Sequence, residues 1–358
     1  MNSPNPNISI NTSSIQLVAS NDDLLLQILI RLPSKSISRF KSVSKHWKSL
    51  ICTPQFRLMH SLVPDFFKGL VFKKYKSAYV VDFNIPLFKP FRELKLSSET
   101  NWDMDILSSC RGLLLCSGNL SGYYICNPTT NDYSEIPAYV NEGGFVKAMC
   151  LAFDPSKSPH YRVVCVTIMR KCGDGGFVIN RVDFSDGVYC NGAIHWISKF
   201  ESGESIYFNP DDDYDEMVLP YKVMPTPPMG HRRSCYVGES GDYLHCMNLD
   251  SMFSYFGYTP FNVYEMRGDY SGWFMKYKVY FQKADIRKCS FDSVSLFGLV
   301  WGKEDEDSFL VMAIEKRIVR YNLVSKTFVT MYDFDGVENC CFYLHCNTYS
   351  PSFLFSFA

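Results

Sequence analysis

Residues Gly112–Pro137 read GLLLCSGNLSGYYICNPTTNDYSEIP, and this stretch decides the fold class. An apolar run begins beside a glycine, a polar loop follows, and a second apolar run ends in Asn-Pro. Short runs rich in aliphatic and aromatic residues, bounded by Gly, Pro and Asn, are typical of β-strands. The stretch therefore predicts a strand–loop–strand unit that ends in a turn and a short closing segment.

Two further segments, Gly192–Pro220 and Gly298–Met331, repeat this pattern, and their second runs end in Asn-Pro and Asn-Leu. The motif DYLHC at Asp242–Cys246 is echoed by FYLHC at Phe342–Cys346. Irregular repetition of one β unit indicates a β-propeller or a related repeat. The chain after residue 62 suits about six blades at roughly 40–50 residues per blade, and seven blades or a distorted barrel would also fit.

The bulk composition is that of a folded soluble protein: of 358 residues, 46% are hydrophobic and 20% are charged. A net charge of −1 gives no reason to expect nucleic acid or a membrane held by bulk charge. Many of the 14 cysteines lie singly inside apolar runs, which favours buried free thiols in a reducing compartment over a disulfide framework. We therefore expect a cytoplasmic or nuclear protein.

Before the β region lies the apolar stretch LLLQILIRLP, Leu24–Pro33. It is shorter than the roughly 20 residues that span a bilayer. Residues 1–20 contain no Lys or Arg, which a signal peptide would need. The stretch instead has helical spacing, with a start signal at Ser20–Asp23 and an end at Pro33.

Two or three more short helices are predicted after Pro33, beginning at Ser34 or Ser36, at Ser44 and after Thr53-Pro54. So small a helical unit has little core of its own and is expected to lean on a partner. The predicted organisation is therefore mainly β with a small N-terminal α unit. It comprises a disordered tail at 1–18, a helical unit at 19–62 and a propeller-like domain at 63–358.

The stretch DDLLLQILIRLPSKSISRFKSVSKHWKSLICTPQFRLMHS, Asp22–Ser61, resembles an F-box in its plant form, and the register holds throughout. The opening Leu-Pro of that pattern is missing, and Gln27 replaces its usual acidic residue. Both departures would weaken the binding of an F-box to its adaptor protein without abolishing it. The matching residues are Asp23, Leu24, Ile28, Leu29, Arg31, Leu32, Pro33, Lys35, Ser36, Arg39, Phe40, Val43, Ser44, Lys45, Trp47, Leu50, Ile51, Pro54, Phe56 and His60.

The rest of the chain is similar to the F-box-associated domain of plant F-box proteins, which is regarded as propeller-like. Four motifs carry this resemblance: SSCRGLLLC from Ser108, YYICNPTTNDYSEIP from Tyr123, LAFDPSKSPHYRVVCV from Leu151 and VYCNGAIHWIS from Val188.

The resemblance implies a non-catalytic substrate receptor of a Skp–cullin–F-box ubiquitin ligase. The F-box would bind a Skp-type adaptor, and through it cullin and RING subunits, while the downstream domain would capture a protein substrate for ubiquitylation. The expected adaptor-binding residues are Leu24, Leu25, Ile28, Leu29, Leu32, Pro33 and Ile37. The expected F-box core residues are Phe40, Val43, Trp47 and Leu50.

Taken one residue at a time, however, each apolar side chain of the helical unit is about as compatible with a place in the core as with a place at the adaptor interface. Two other functions also remain open: a propeller interaction module that acts outside the ligase, and a propeller enzyme with a polar, titratable cluster at its mouth.

No chemistry-bearing motif points to catalysis or to a metal. Cys340–Cys346 lacks the second ligand cluster that structural zinc sites need. The acidic run Asn209–Glu216 lacks the Gly and the distal Glu of a calcium loop. No nucleophile-elbow, P-loop or dinucleotide motif occurs, and His195 and His245 lie in apolar strands that favour a core role. We therefore expect no cofactor and no metal.

Overall fold

Among the residues that the computed structural model describes, four short helices precede 22 β-strands. The helices are α1 (Asp22–Ile30), α2 (Ser34–Phe40), α3 (Lys45–Ile51) and α4 (Pro54–Leu62). The structure describes residues 20–32, 34–62, 69–74, 77–82, 91–94, 105–118, 122–130, 132–137, 144–158, 160–169, 182–198, 203–212, 220–228, 235–249, 258–282, 294–302, 305–314, 317–333 and 346–349. The predicted tail at 1–18 and nearly all of Cys340–Cys346 lie outside these ranges.

The helix ends follow local hydrogen bonding. The side chain of Asn21 caps α1 by accepting from the Leu24 backbone N–H at 3.1 Å, so the cap lies one residue after the predicted Ser20. Asp22 and Asp23 lie in the first turn, where the helix dipole favours negative charge. Ser44 caps α3 as predicted, accepting from the Trp47 N–H at 3.0 Å. None of the described helices is long and apolar enough to cross a membrane.

The strands form antiparallel sheets, which we name A to F in ring order. Within the described ranges, five of them have four strands and sheet B has two. Sheet A contains β4 (Asp105–Cys110), β5 (Leu113–Ser117), β6 (Tyr123–Asn127) and β7 (Asp132–Ile136); sheet B contains β8 (Gly144–Ala152) and β9 (Arg162–Met169); sheet C contains β10 (Val188–Cys190), β11 (Ala193–Trp196), β12 (Ser205–Phe208) and β13 (Lys222–Met224). Sheet D contains β14 (Cys235–Ser240), β15 (Tyr243–Leu249), β16 (Tyr258–Met266) and β17 (Trp273–Gln282); sheet E contains β18 (Val294–Val300), β19 (Phe309–Ile314), β20 (Arg317–Asn322) and β21 (Phe328–Asp333). Sheet F joins β22 (Cys346–Tyr349) to β1 (Gly69–Lys74), β2 (Ser77–Asp82) and β3 (Phe91–Leu94).

The sheets follow one another around a ring through their first strands. β4, β8, β10, β14, β18 and β22 each contact the next strand in this order, and β22 contacts β4. The ring is closed by chain topology, because the C-terminal β22 pairs antiparallel with β1 from the start of the β region, Gly69 opposite Tyr349. The described chain is therefore mainly β, with a small helical unit followed by a β-propeller arrangement.

The propeller core lies between neighbouring sheets rather than in one central cluster. Sheets D and E, for example, enclose Phe261, Val263, Leu310 and Met312, all fully buried. Sheets C and D enclose a separate cluster around Leu244. Sheet D thus buries both faces, which explains why its strands are more continuously apolar than a half-exposed sheet requires.

The recurring Asn at the end of the third strand has a local structural cause. The Oδ1 atoms of Asn127, Asn209 and Asn322 accept hydrogen bonds from the backbone N–H two residues onward, at 2.9, 3.0 and 3.0 Å. Such Asx turns turn the chain away from the end of the third strand. The repeated Asn of the sequence therefore corresponds to one type of turn that occurs in three sheets.

Candidate functional site

The four helices pack around a small apolar core that takes several of the predicted adaptor residues. Leu25, Leu29 and Ile37 are buried in it together with Ile51 and Phe56. Their side chains stabilise the helical unit itself, so direct contact of these three with an adaptor stays a prediction that would need the unit to rearrange.

Leu24 and Ile28, by contrast, are exposed on α1. Leu24 is 43% exposed and Ile28 is 49% exposed. Side chains four residues apart lie on one face of a helix, so the two form a continuous aliphatic strip over the first turns of α1. Leu32 is half-buried beyond the end of the helix, where its carbonyl O lies 2.9 Å from His60 Nε2. Pro33 lies outside the described residues.

The predicted F-box core residues fall into two groups. Phe40, Trp47 and Leu50 pack against the buried cluster, and the Phe40 and Trp47 rings meet edge-to-face at 5.5 Å. Val43 departs from the expectation, since 57% of it is exposed. It lies in the turn between α2 and α3, where the chain has left helical spacing and the side chain no longer faces the cluster.

The first residue of α1 makes a polar contact with α3. Asp22 Oδ1 lies 2.9 Å from His46 Nε2, with both side chains about half exposed. An exposed pair of this kind contributes little to stability, on the order of 0–1 kcal/mol. The contact joins the start of α1 to the start of α3.

A second candidate region lies where three hairpin turns of the propeller meet. The turns are Arg111–Gly112, Asn191–Gly192 and Gly241–Asp242, and every one of these residues has positive φ. Two-residue hairpins with this conformation join the first two strands of sheets A, C and D. Sheets A and D lie opposite each other in the ring, so these turns approach one another at one mouth of the propeller.

An ion pair links the opposite turns. The Arg111 guanidinium pairs with the Asp242 carboxylate, and the Asn191 Nδ2 donates to the Asp242 carbonyl O at 2.9 Å. The Asp242 N–H donates to Glu239 Oε1 at 3.0 Å. Burial works against the charged guanidinium, but Glu239 and Asp242 outweigh it and raise the pKa of Arg111.

The thiols beneath this mouth are not activated. Burial raises the pKa of Cys110 to about 12 and places that of Cys190 well above its usual range. A protonated thiol is a poor nucleophile. The polar cluster is thus a clasp between sheets, in which Arg111 interacts with the carboxylates of both Asp242 and Glu239.

A third cluster lies between sheets D and E. Glu265 is buried, and its Oε2 lies 2.8 Å from His245 Nε2 and pairs with Lys276 Nζ. Burial alone would raise the pKa of Glu265, but hydrogen bonds from His245 and Lys276 lower it. The carboxylate is therefore ionised and doubly paired, and Trp301 stacks on the His245 ring at 6.0 Å.

Comparison with known proteins identifies the helical unit. Residues 21–59 match the family model of the F-box domain. Residues 21–59 are an F-box domain. This match covers α1 to α3 and most of α4, and therefore the whole cluster that encloses Leu29 and Ile37.

Relatives of the chain carry the same domain name. The F-box protein At5g07610 of Arabidopsis thaliana is 28% identical over 93% of this chain and 90% of its own length. The F-box protein At5g49610 of the same plant is 27% identical over 64% of this chain and 72% of its own. Among solved structures, YCF48 from Cyanidioschyzon merolae aligns over 75% of this chain and 86% of its own at 10% identity, with a TM-score of 0.35.

Sequence reasoning found the F-box but missed both polar clusters of the propeller. The clasp partners Arg111 and Asp242 are 131 residues apart, and no local pattern couples them. The available signals were the repeated turn pairs Arg-Gly, Asn-Gly and Gly-Asp, which predict tight hairpins. The third cluster had a weaker signal, a charged residue on each of two neighbouring apolar strands, at Glu265 and Lys276.

Proposed function

We propose that this chain is the substrate-receptor subunit of a Skp–cullin–F-box ubiquitin ligase. Its F-box docks a Skp-type adaptor, which connects it to the cullin and RING subunits. The propeller region, residues 63–358, captures a protein substrate. The chain contributes no chemistry of its own in this role and needs no cofactor, because holding the substrate beside the catalytic subunits supplies the rate advantage.

The exposed strip of Leu24 and Ile28 is the observation that carries this proposal. A domain of about 40 residues has few apolar side chains to spare. This F-box nevertheless leaves two large aliphatic side chains on one helix face, above a core that is already filled. A helix face of this kind is what an apolar groove between helices of a partner recognises.

The proposed adaptor surface begins with this strip and continues through Leu32 and Pro33 at the end of α1. Leu25, Leu29 and Ile37 support it from below, because they fix α1 against α2 and α4. In this arrangement the apolar excess of the helix is divided between two faces. Loss of a buried residue would act through unfolding, and loss of an exposed one through binding alone.

The platform for the substrate is proposed to be a six-bladed propeller. Six first strands follow one another in a closed ring, which supports this number, with sheet B as one of the blades. Such a platform presents its turns at two mouths, and those turns vary without loss of the fold. The proposal assigns substrate capture to them.

A pull-down with a purified Skp-type adaptor tests the proposal. We expect Ile28→Asp to abolish capture of the adaptor while leaving the thermal unfolding of the chain unchanged, since Ile28 is half exposed. Val223→Asp, at an exposed aliphatic position of the propeller, is the matched control and retains capture.

Two results would contradict the proposal. One is failure of the unmodified chain to capture the adaptor, which would leave a propeller interaction module outside the ligase. The other is capture that survives Ile28→Asp combined with Leu24→Asp. The Leu29→Asp variant is unsuitable as evidence on its own, because a buried charge would unfold the F-box and remove binding indirectly.

A further inference from the structure

Sheets D and E face each other, and we call the end of their contact beside the β16–β17 turn the cleft; Arg267, Tyr243 and Phe274 are exposed there. Along β16, Phe261 and Val263 face sheet E, and alternation places Glu265 and then Arg267 on the same side. Phe274 lies opposite Glu265 across the strand pair, so it shares that side. Trp301, which follows β18, forms part of the facing wall.

The aromatic faces in this cleft carry the chain's own cations. The guanidinium carbon of Arg267 lies 6.0 Å from the centre of the Phe274 ring. Lys276 Nζ lies 4.0 Å above the centre of the Trp301 ring and 5.5 Å from that of Tyr243. A cation over an aromatic face is attracted by the ring quadrupole, most strongly for Trp.

A backbone irregularity aims Lys276 into the cleft. Val263 pairs with Tyr277 and Tyr264 pairs with Met275, so Lys276 is the extra residue of a β-bulge on β17. Bulges of this kind re-aim a side chain and recur next to functional sites. Without the bulge, strand alternation would not bring both Lys276 and Tyr277 to the sheet E side.

The two cations of the cleft differ in their ion-pair partners. The Lys276 ammonium is committed to Glu265, whereas Arg267 is exposed and makes no ion pair within the described residues. Asp269 of the same turn accepts from the Ser271 backbone N–H at 2.9 Å, and its carboxylate interacts electrostatically with Arg267 without forming an ion pair. Beside Arg267, Tyr243 is 47% exposed and Phe274 is 37% exposed. Arg, Tyr and other aromatic side chains dominate the energetics of protein interfaces.

We propose that this cleft docks an acidic segment of the protein substrate. Arg267 pairs with a carboxylate of the segment, and Tyr243 and Phe274 contact its apolar side chains. An acidic partner fits because Lys276 is already paired with Glu265, whereas the exposed Arg267 guanidinium makes no ion pair within the described residues and can bind a carboxylate of the partner. The inference rests on the proposed receptor function and names the chemistry of its substrate.

Selection from a library of random twelve-residue peptides on the immobilised full-length chain tests the docking site. The unmodified protein is expected to enrich peptides rich in Asp and Glu. The Arg267→Glu variant is expected to lose this enrichment and to bind the selected peptides about ten-fold more weakly, because charge complementarity across the rim is reversed. Its thermal unfolding should match that of the unmodified protein, since Arg267 is exposed.

Arg320→Glu is the matched control. Arg320 is also exposed and lies over a phenylalanine, Phe309, at 5.6 Å. Its neighbours Val319 and Tyr321 face sheet D, so Arg320 points to the other side of sheet E, away from the cleft. This variant should retain the acidic enrichment.

Three outcomes would overturn the docking proposal: no acidic enrichment by the unmodified protein, enrichment that survives Arg267→Glu, or an equal loss in Arg320→Glu. Capture of the Skp-type adaptor is measured on the same preparations. Adaptor capture without acidic enrichment rejects the cleft but leaves the receptor function standing. Absence of adaptor capture rejects the receptor function itself.

Discussion

The Tyr270 hydroxyl lies 2.7 Å from His195 Nε2, across the boundary between sheets C and D. His195 Nδ1 lies 3.2 Å from the Val188 carbonyl O, which can only accept, so Nδ1 carries the proton and Nε2 accepts from Tyr270. The Tyr207 and Tyr270 rings stack in parallel at 4.4 Å. This arrangement uses neutral histidine, and burial lowers the pKa of His195 to about 4.

The neutral His195 predicts a stability that falls in mild acid. Its pKa is about 6.5 in the unfolded chain and about 4 when folded, so the unfolded state binds more protons between these values. The free energy of unfolding therefore has its full value above pH 6.5. It falls by about 3 kcal/mol in total as the pH is lowered toward 4.

Urea unfolding at pH 7.5, 6.5 and 5.5 measures this loss for the unmodified chain and for His195→Asn. The variant keeps a donor near Val188 but cannot be protonated, so we expect it to be less stable at pH 7.5 and less sensitive to pH. Restricting the comparison to pH above 5 avoids the range in which carboxylates such as Glu265, whose pKa is lowered, begin to contribute. If the free energy of unfolding depended on pH equally in the two proteins, His195 would not be the source of the acid sensitivity.

Adjacent leucines of α1 should behave differently. Leu25 is buried and Leu24 is exposed. We expect Leu25→Ala to lower the free energy of unfolding of the F-box by about 2–5 kcal/mol because it leaves a cavity. Leu24→Ala should change it by less than about 0.5 kcal/mol. Hydrogen exchange of the backbone amides of α1 to α4, which reports local opening of the F-box, checks both values, and similar losses would contradict the division of α1 into a core face and an exposed face.

The hairpin turn at Asn191–Gly192 should depend on its glycine. Gly192 has a φ of +86°, in the left-handed region that disfavours a side chain, and a Cβ there would meet only Lys157 Nζ at 3.2 Å. Gly192→Ala is therefore expected to cost about 1 kcal/mol through backbone strain rather than through collision. Gly268→Ala is the control, because a Cβ there meets nothing within 4 Å. A melting temperature lowered equally in both variants would argue against the strain.

The pairing of β22 with β1 should control the cooperativity of the propeller. A chain that ends at residue 345 lacks β22 and leaves β1 without the neighbour that connects it to sheets E and A. We expect it to unfold over a broader range of denaturant and at a lower midpoint, because the ring is open. A chain that ends at Tyr349 keeps the strand and is the control. Sharp, coincident transitions for both would show that ring closure contributes little.

Much of the fold could be predicted because its determinants are local. The Asn127, Asn209 and Asn322 turns depend on a side chain that bonds to its own backbone two residues onward. The Ser44 cap depends on a bond spanning three residues. Interactions this short are present in any window of the sequence, so repeated units and helix starts appear before the tertiary structure is considered.

The division of the F-box helix could not be predicted in this way. Leu24, Leu25, Ile28 and Leu29 are nearly equal in hydrophobicity, and an apolar run that covers more than one helix face has no unique inward direction. The packing of α2, α3 and α4 selects Leu25 and Leu29 as core and leaves the other two outside. The same packing places Val43 on the surface, against the expectation from the resemblance.

The sequence by itself determined the F-box, the β repeat and the tight turns, because each follows from residues that are neighbours along the chain. Only the tertiary structure decided which side chains meet across the ring. Arg111 reaches Asp242 from the opposite sheet, and Lys276 covers Trp301 from the neighbouring one. The first contact arises because the ring of sheets brings opposite hairpin turns to one mouth, and the second because sheets D and E pack against each other; no local interaction along the chain relates either pair.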